Sequence, residues 1–178
     1  MRPGYILTTI CAIFGFSACH AKPAAEAPGQ HAHPHHDHGA PVGSVVELSP
    51  AQWKERLSSA QYRILREKGT ERPGTGTLLG EKRKGTFRCA GCGAPLFDAK
   101  TKFESGTGWP SFFKSLPGRV SELKDESYGM SRVEILCSRC GGHLGHIFDD
   151  GPQPTGQRYC VNSLSLEFDP ANQSTLSK

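Results

Sequence analysis

The fold is decided by two matching turns, Cys89-Ala-Gly-Cys92 and Cys137-Ser-Arg-Cys140, each of which can present two sulfur atoms to one ion. Together they supply the four thiolates of a tetrahedral zinc site, provided that the 44 residues between them fold back. We therefore predict one structural Zn²⁺ per chain, bound by Cys89, Cys92, Cys137 and Cys140. Four thiolates leave no coordination position open, so this ion is not expected to take part in catalysis.

Two short helices are predicted just before the first of these turns. Ser49 is a capping residue, with proline in the first turn and Gln52 three residues on. Ser59 is predicted to cap the second helix, and Gly69 suits its C-terminal stop. The apolar residues that these helices carry are Trp53, Leu57, Tyr62, Ile64 and Leu65.

After Gly85 the pattern changes to short extended segments separated by glycines. Val133 and Ile135 alternate with polar residues, which is typical of a half-buried strand. If residues 159–168 form one strand, Cys160 and Asn162 lie on its core face. The predicted fold class is mainly β: antiparallel sheets with two short N-terminal helices, fastened by the four-cysteine zinc site.

The N-terminal region indicates export. Arg2 and the apolar residues 5–16 are typical of a signal peptide, predicted over residues 1–19, and the apolar stretch is shorter than the ~18 residues of a membrane span. Phe16-Ser-Ala-Cys19 resembles a bacterial lipobox, which predicts a lipid anchor at Cys19; ordinary cleavage near Ala21 is the alternative. The predicted location is the periplasm, with or without a membrane tether.

The remaining boundaries follow from composition. Residues 20–43 are predicted to be a disordered His/Pro/Ala-rich tether, residues 44–170 the folded domain, and residues 171–178 a flexible tail. The tract His31–His38 in the tether either binds metal weakly or is a polar spacer. Because exported cysteines usually form disulfides, two disulfides remain the alternative to zinc at the Cys-x-x-Cys turns, and a metal assay separates them.

Charge argues against a nucleic-acid partner. The chain has 21 Lys+Arg and 17 Asp+Glu, a formal net charge of +4. Its one basic run, Lys82-Arg-Lys84, is typical of a solvated turn and not of a binding stripe. A zinc-ribbon module that binds nucleic acid or protein is therefore disfavoured, although it shares paired Cys-x-x-Cys turns. A metal carrier that uses the His-rich tether is a third hypothesis.

Three motifs carry a family resemblance: Gly106-Thr-Gly-Trp-Pro-Ser-Phe112, Gly141-Gly-His-Leu-Gly-His146, and the segment 150–163 that ends in Arg-Tyr-Cys-Val-Asn-Ser163. From about Leu48 to Phe168 the chain resembles the B-type peptide-methionine (R)-S-oxide reductases. The resemblance implies a thiol-dependent oxidoreductase that reduces the R epimer of methionine sulfoxide in proteins, and the sequence leaves open whether the free amino acid is also reduced. For an exported chain it implies repair of exported proteins. A monomer is expected.

Cys160 belongs to neither Cys-x-x-Cys turn, so its thiol is available for chemistry. A nucleophilic thiol needs a lowered pKa, which His143, His146 or Arg158 could supply. A histidine can also deliver the proton that the sulfoxide oxygen requires, and the sequence leaves open which one does. The resemblance implies that the following residues complete the site: His146 and Asn162 at the substrate, His143, Asp150 and Arg158 in support, and Trp109 as the pocket wall.

One position departs from the family pattern. Many members have a second, resolving cysteine two residues before the pocket tryptophan, where this chain has Thr107. The other cysteines outside the zinc set are Cys11 and Cys19, which export removes or modifies. We therefore expect that an external reductant, either a thioredoxin-like protein or a small thiol, reduces the Cys160 sulfenic acid directly.

Overall fold

The computed structural model describes residues 44–171. The predicted signal peptide, the tether with its His31–His38 tract, Cys19 and residues 172–178 lie outside the described residues, so those predictions and the domain boundaries stay predictions. Within the described part, no helix is long and apolar enough to cross a membrane.

Within residues 44–171, two helices precede nine strands. The helices are α1 (Pro50–Arg56) and α2 (Ser59–Leu65). The strands are β1 (Gly85–Cys89), β2 (Pro95–Asp98), β3 (Lys102–Phe103), β4 (Ser111–Phe112), β5 (Val120–Asp125), β6 (Arg132–Cys137), β7 (His143–Phe148), β8 (Arg158–Val161) and β9 (Leu166–Pro170). Single 3₁₀ turns occupy Ala99–Thr101, Ser127–Gly129 and Ser163–Ser165.

The strands form two antiparallel sheets. A three-stranded sheet has the order β2-β1-β9, and a six-stranded sheet has the order β3-β4-β8-β7-β6-β5. Aromatic side chains from both sheets pack together: the Phe97 ring stacks on Phe112 with centroids 4.3 Å apart, and Phe87 meets the edge of Phe112 at 4.9 Å. All three are fully buried. The predicted fold class, mainly β with two short helices, is confirmed.

The start of α1 is as predicted, and the start of α2 is not. Ser49 forms a capping box with Gln52. The cap of α2 is Ser58, because Gln61 stands three residues after it and completes a second capping box, whereas Ser59 is already helical. The left-handed residue after α2 is Lys68, with φ 54°, and not Gly69.

Residues 159–168 do not form one strand. The chain leaves the six-stranded sheet after Val161, makes the 3₁₀ turn and enters the three-stranded sheet as β9. The buried Glu71 carboxylate accepts hydrogen bonds from the backbone N–H groups of Ser163 (2.6 Å) and Leu164 (3.1 Å). Because those two donors are taken by a side chain, they are not available to a neighbouring strand.

Strand β6 forms as predicted, but its polar face is not exposed. Glu134 is only 3% exposed, since β6 lies between β5 and β7 and Glu134 binds two side chains there. Its carboxylate contacts Lys68 Nζ at 2.7 Å and His143 Nδ1 at 2.7 Å. A buried carboxylate requires such partners. Lys68 is distant in sequence, and His143 lies on the next strand, β7.

The four cysteines of the Cys-x-x-Cys turns meet between the sheets. Cys89 ends β1 and Cys92 follows it, while Cys137 ends β6 and Cys140 follows it. All four are buried. The cluster therefore joins the two separate sheets.

Candidate functional site

A cavity of about 130 Å³ opens beside the six-stranded sheet. It brings together four residues that the sequence predicted, Cys160, His146, Asn162 and Trp109. Four further residues line it that sequence reasoning missed: Thr70, Arg132, Gly145 and Phe148. Three predicted residues, His143, Asp150 and Arg158, are not part of this lining.

The strand register brings the thiol and the histidine together. Cys160 on β8 is the cross-strand partner of His146 on β7 and of Ser111 on β4. Directly opposite residues on antiparallel strands project to the same face. The neighbouring Gly145 permits the close approach of β7 to β8, because a Cβ atom there would lie 2.0 Å from the carbonyl oxygen of Cys160.

The Cys160 thiol is half-buried, and burial raises its pKa above the ordinary value. The positive charge of Arg158 and hydrogen bonds with Thr107 and Arg158 oppose this effect without overcoming it. The expectation of a lowered pKa is therefore wrong for the protein without substrate. With its pKa raised, the Cys160 thiol is protonated at neutral pH.

Arg158 is held in place on two sides. Its guanidinium donates to both carboxylate oxygens of Asp150, Nε to Oδ1 at 2.8 Å and Nη2 to Oδ2 at 3.0 Å. It also lies over the Phe148 ring, 4.4 Å from the centroid. The hydrogen bonds between these two side chains lower the pKa of Asp150 and raise the pKa of Arg158. Asp150 thus fixes the cation that counteracts the burial of Cys160.

The two predicted histidines have different environments. His143 is 3% exposed; burial lowers its pKa, and its Nδ1 pairs with Glu134 while its buried Nε2 has no partner among the described residues. His146 lines the cavity, and its Nε2 lies 2.8 Å from Oδ2 of Asp125. The geometry therefore favours His146 over His143 as the histidine that meets a substrate.

Besides the contacts of its carboxylate, Glu71 also positions two residues of the cavity through its main chain. Its carbonyl oxygen accepts from Trp109 Nε1 at 3.1 Å, and its N–H donates to Asn162 Oδ1 at 3.0 Å. Asn162 Nδ2 donates in turn to the carbonyl oxygen of Leu144 at 3.0 Å. One residue thus sets the position of both the aromatic wall and the amide.

The cysteine cluster has the geometry of a metal site. All four sulfurs lie within 4.8 Å of one another, with Cys89 and Cys140 3.7 Å apart and Cys92 and Cys137 3.6 Å apart. Tetrahedral thiolates about 2.3 Å from zinc are about 3.8 Å apart, whereas disulfide sulfurs are about 2.05 Å apart. The donor set therefore fits a tetrahedral ion bound by four sulfurs.

Residues 57–170 match the family model described as the SelR domain. This chain belongs to the SelR family. A similar protein of Leptospira interrogans serogroup Icterohaemorrhagiae serovar Lai is 59% identical over 124 residues, which are 69% of this chain and 95% of that protein. One of Methanosarcina barkeri is 57% identical over 125 residues, 70% and 88% of the two chains. One of Agrobacterium fabrum is 55% identical over 126 residues, 70% and 93%.

All three relatives are named peptide methionine sulfoxide reductase MsrB. The family resemblance stated from the sequence motifs is therefore confirmed, and with it the enzyme class.

The residues that sequence reasoning missed in this SelR chain lie mainly on strands or in the Lys68–Pro73 segment. That segment lies within the stretch from Leu48 to Phe168 that the resemblance covers, which is the one signal that could have pointed to Glu71.

The pKa of the Cys160 thiol can be tested by its reactivity. The alkylation rate of Cys160 in substrate-free protein, measured by mass spectrometry of its peptide, should keep rising as the pH passes 9.0, because burial raises the thiol pKa above that value. Arg158→Gln should move the curve to higher pH, since it removes the charge that lowers this pKa. Arg56→Gln, an exposed control on α1, should leave it unchanged. A midpoint below about pH 8 would contradict the assignment.

Proposed function

We propose that this protein reduces the R epimer of methionine sulfoxide to methionine, using the Cys160 thiol as the group that takes the oxygen. The observation that carries the proposal is a thiol outside the cysteine cluster, in a cavity that also contains His146, Asn162 and Trp109. The names of the relatives supply the substrate class. At about 130 Å³ the cavity suits the end of one side chain and not a drug-sized ligand, for which ~300–1,000 Å³ is typical.

The first step is an oxygen transfer. Cys160 attacks the sulfoxide, whose S–O bond breaks while an S–O bond to Cys160 forms. Thiol and sulfoxide thereby give a sulfenic acid and a thioether: the cysteine is oxidised by two electrons and methionine is regenerated. The Trp109 ring provides the flat wall against which the methyl group can be oriented, which would select one epimer.

The proton for this step is already present on Cys160. Because the resting thiol is protonated, transfer of its proton to the sulfoxide oxygen produces the nucleophile and activates the electrophile together. His146, across from Cys160 on the next strand, is the group that moves this proton. His143 keeps a supporting role, since its ring is buried and bound to Glu134.

The second half-reaction uses an external thiol. It attacks the sulfenic acid, forms a mixed disulfide with Cys160 and releases water; a second thiol then restores Cys160. Thr107 supports this route, because it stands where many family members have a resolving cysteine and is near enough to Cys160 to lower the pKa of its thiol. A thioredoxin-like protein or a small thiol is the proposed reductant.

Zn²⁺ is the ion proposed for the cysteine cluster, held by Cys89, Cys92, Cys137 and Cys140. Four thiolates are the donor set typical of structural zinc, and when bound the ion stabilises the junction of the two sheets.

The signal-like N-terminus further supports export and repair of exported proteins, with a lipid at Cys19. Cell fractionation and determination of the mature N-terminus would show an unprocessed cytoplasmic chain if this is wrong.

Epimer selectivity and the role of Cys160 can be tested in one turnover assay. With separated epimers and dithiothreitol, wild type should reduce the R epimer and leave the S epimer unchanged. Cys160→Ser should lose at least about 99% of the activity, because no other described group can take the oxygen, while its metal content and melting temperature stay unchanged. A metal carrier or a nucleic-acid module would show no turnover in the wild type. Equal turnover by Cys160→Ser would refute the proposal.

The metal content of the cysteine cluster can be measured directly. Purified protein should contain one zinc per chain, and Cys137→Ser should lose it. We expect the melting temperature to fall by about 10 °C or more, because a loss of ~3 kcal/mol or more at the junction corresponds to such a shift. Cys160→Ser is the matched control, a cysteine change that spares the cluster. Metal-free protein whose mass shows two disulfides would establish the alternative.

The recycling route can be followed by mass analysis. After one turnover without reductant, wild type should carry one added oxygen on Cys160, trapped by dimedone, and no internal disulfide. Thr107→Cys should instead form a disulfide with Cys160 and increase turnover with thioredoxin, since Thr107 is near enough to Cys160 to lower the pKa of its thiol. Thr75→Cys, an added thiol at an exposed position, is the control. An internal disulfide to Cys160 in the wild type would rule out the direct route.

A further inference from the structure

The hairpin of β5 and β6 places a carboxylate beside the cavity that neither the motifs nor the resemblance assigned. Asp125 ends β5, and its side chain is 16% exposed. Its Oδ1 accepts from the backbone N–H of Ser127 at 3.0 Å. Its Oδ2 contacts Nη2 of Arg132 at 2.7 Å and Nε2 of His146 at 2.8 Å. Arg132 and His146 both line the cavity that contains Cys160.

These contacts determine which nitrogen of His146 carries the proton. Hydrogen bonds from Ser127, and then from His146, together with the charge of Arg132, hold the pKa of Asp125 well below its usual range. Asp125 is therefore ionised at neutral pH and can only accept hydrogen bonds. His146 Nε2 must be the donor, so in the neutral ring the proton is on Nε2 and Nδ1 has the free lone pair.

We propose that Asp125 is a positioning residue that acts through His146: it fixes the Nε2–H tautomer and leaves Nδ1 as the one nitrogen that can exchange a proton with the substrate. This inference rests on the proposed proton transfer by His146. In that step Nδ1 accepts the proton from the Cys160 thiol and passes it to the sulfoxide oxygen, so the ring is neutral before and after.

Arg132 has a related part in this arrangement. Its Nη2 is bound by Asp125, and its Nε is buried without a partner among the described residues. Since the guanidinium is always charged, it keeps Asp125 ionised, and the carboxylate in turn orients both cavity-lining side chains. Asp125 and His146 would thus act as an acid–histidine pair, in which the carboxylate orients the imidazole and does not itself take the proton.

The test combines a spectroscopic reading with kinetics. In ¹⁵N-histidine-labelled full-length protein, at a pH where the ring is neutral, long-range ¹H–¹⁵N correlation should show His146 protonated at Nε2. Asp125→Ala should give a mixture of tautomers and lower kcat by about tenfold to a hundredfold, with KM for the R sulfoxide within about twofold of wild type. Asp125→Asn, whose side-chain oxygen can still accept from Nε2, should restore the tautomer and part of kcat.

Two controls separate positioning from a general structural effect. Glu122→Ala removes an exposed carboxylate from the same strand and should change neither reading. In a His146→Gln background, Asp125→Ala should cost no more than about twofold in kcat, because its effect passes through the missing ring.

Three results would overturn the inference. The first is wild-type His146 protonated at Nδ1, and the second is a full loss of kcat from Asp125→Ala in the His146→Gln background. The third is His146→Gln with wild-type turnover, which would refute proton transfer by His146 in the proposed function and with it the catalytic meaning of Asp125. The tautomer reading needs no substrate, so it distinguishes a misassigned carboxylate from a misassigned histidine.

Discussion

The contact of four sulfur atoms between the two sheets is the constraint on which the other positions depend. The three-stranded and six-stranded sheets share no hydrogen-bonded strand, yet each ends one of its strands in a cysteine of the cluster. One ion bound there would fix the ends of β1 and β6 relative to each other. Both strands neighbour elements that build the cavity, since β6 carries Arg132 and Glu134 and β1 pairs with the strand that follows the 3₁₀ turn.

Within that frame, each polar group of the site is held by a partner from another element. Asp150 positions Arg158, Glu134 binds His143, and Asp125 binds His146. These three carboxylates differ in burial, and so in what they can do. Glu134 is enclosed and keeps a neutral histidine in place, whereas Asp150 is 63% exposed and its influence on the Cys160 environment is weakened by solvent.

The sequence predicted those features that depend on residues close together in the chain. Cys-x-x-Cys spacing located the cluster, the Ser49 capping box located α1, and periodicity located β6. It misplaced the cap of α2 because two serines are adjacent and only Gln61 distinguishes them. It missed the break after Val161 because the carboxylate that causes it, Glu71, is 92 residues away from Ser163. It also missed Asp125 and Glu134, since an acidic residue on a strand indicates a solvated face unless the register with the next strand is known.

The attachment of the segment Lys68–Pro73 to the cavity affects how the enzyme loses activity. It is attached by the main chain of Glu71 to Trp109 and Asn162, by the buried Glu71 carboxylate to Ser163 and Leu164, and by one ion pair of the exposed Lys68. Because these contacts belong to only two residues of the segment, their loss would release it while the strand pairings and the sulfur cluster stay intact. A brief detachment would displace the tryptophan wall and the amide together. Heating or mild denaturant should therefore inactivate the enzyme before it unfolds, and amide hydrogen exchange at Glu71 would report these openings.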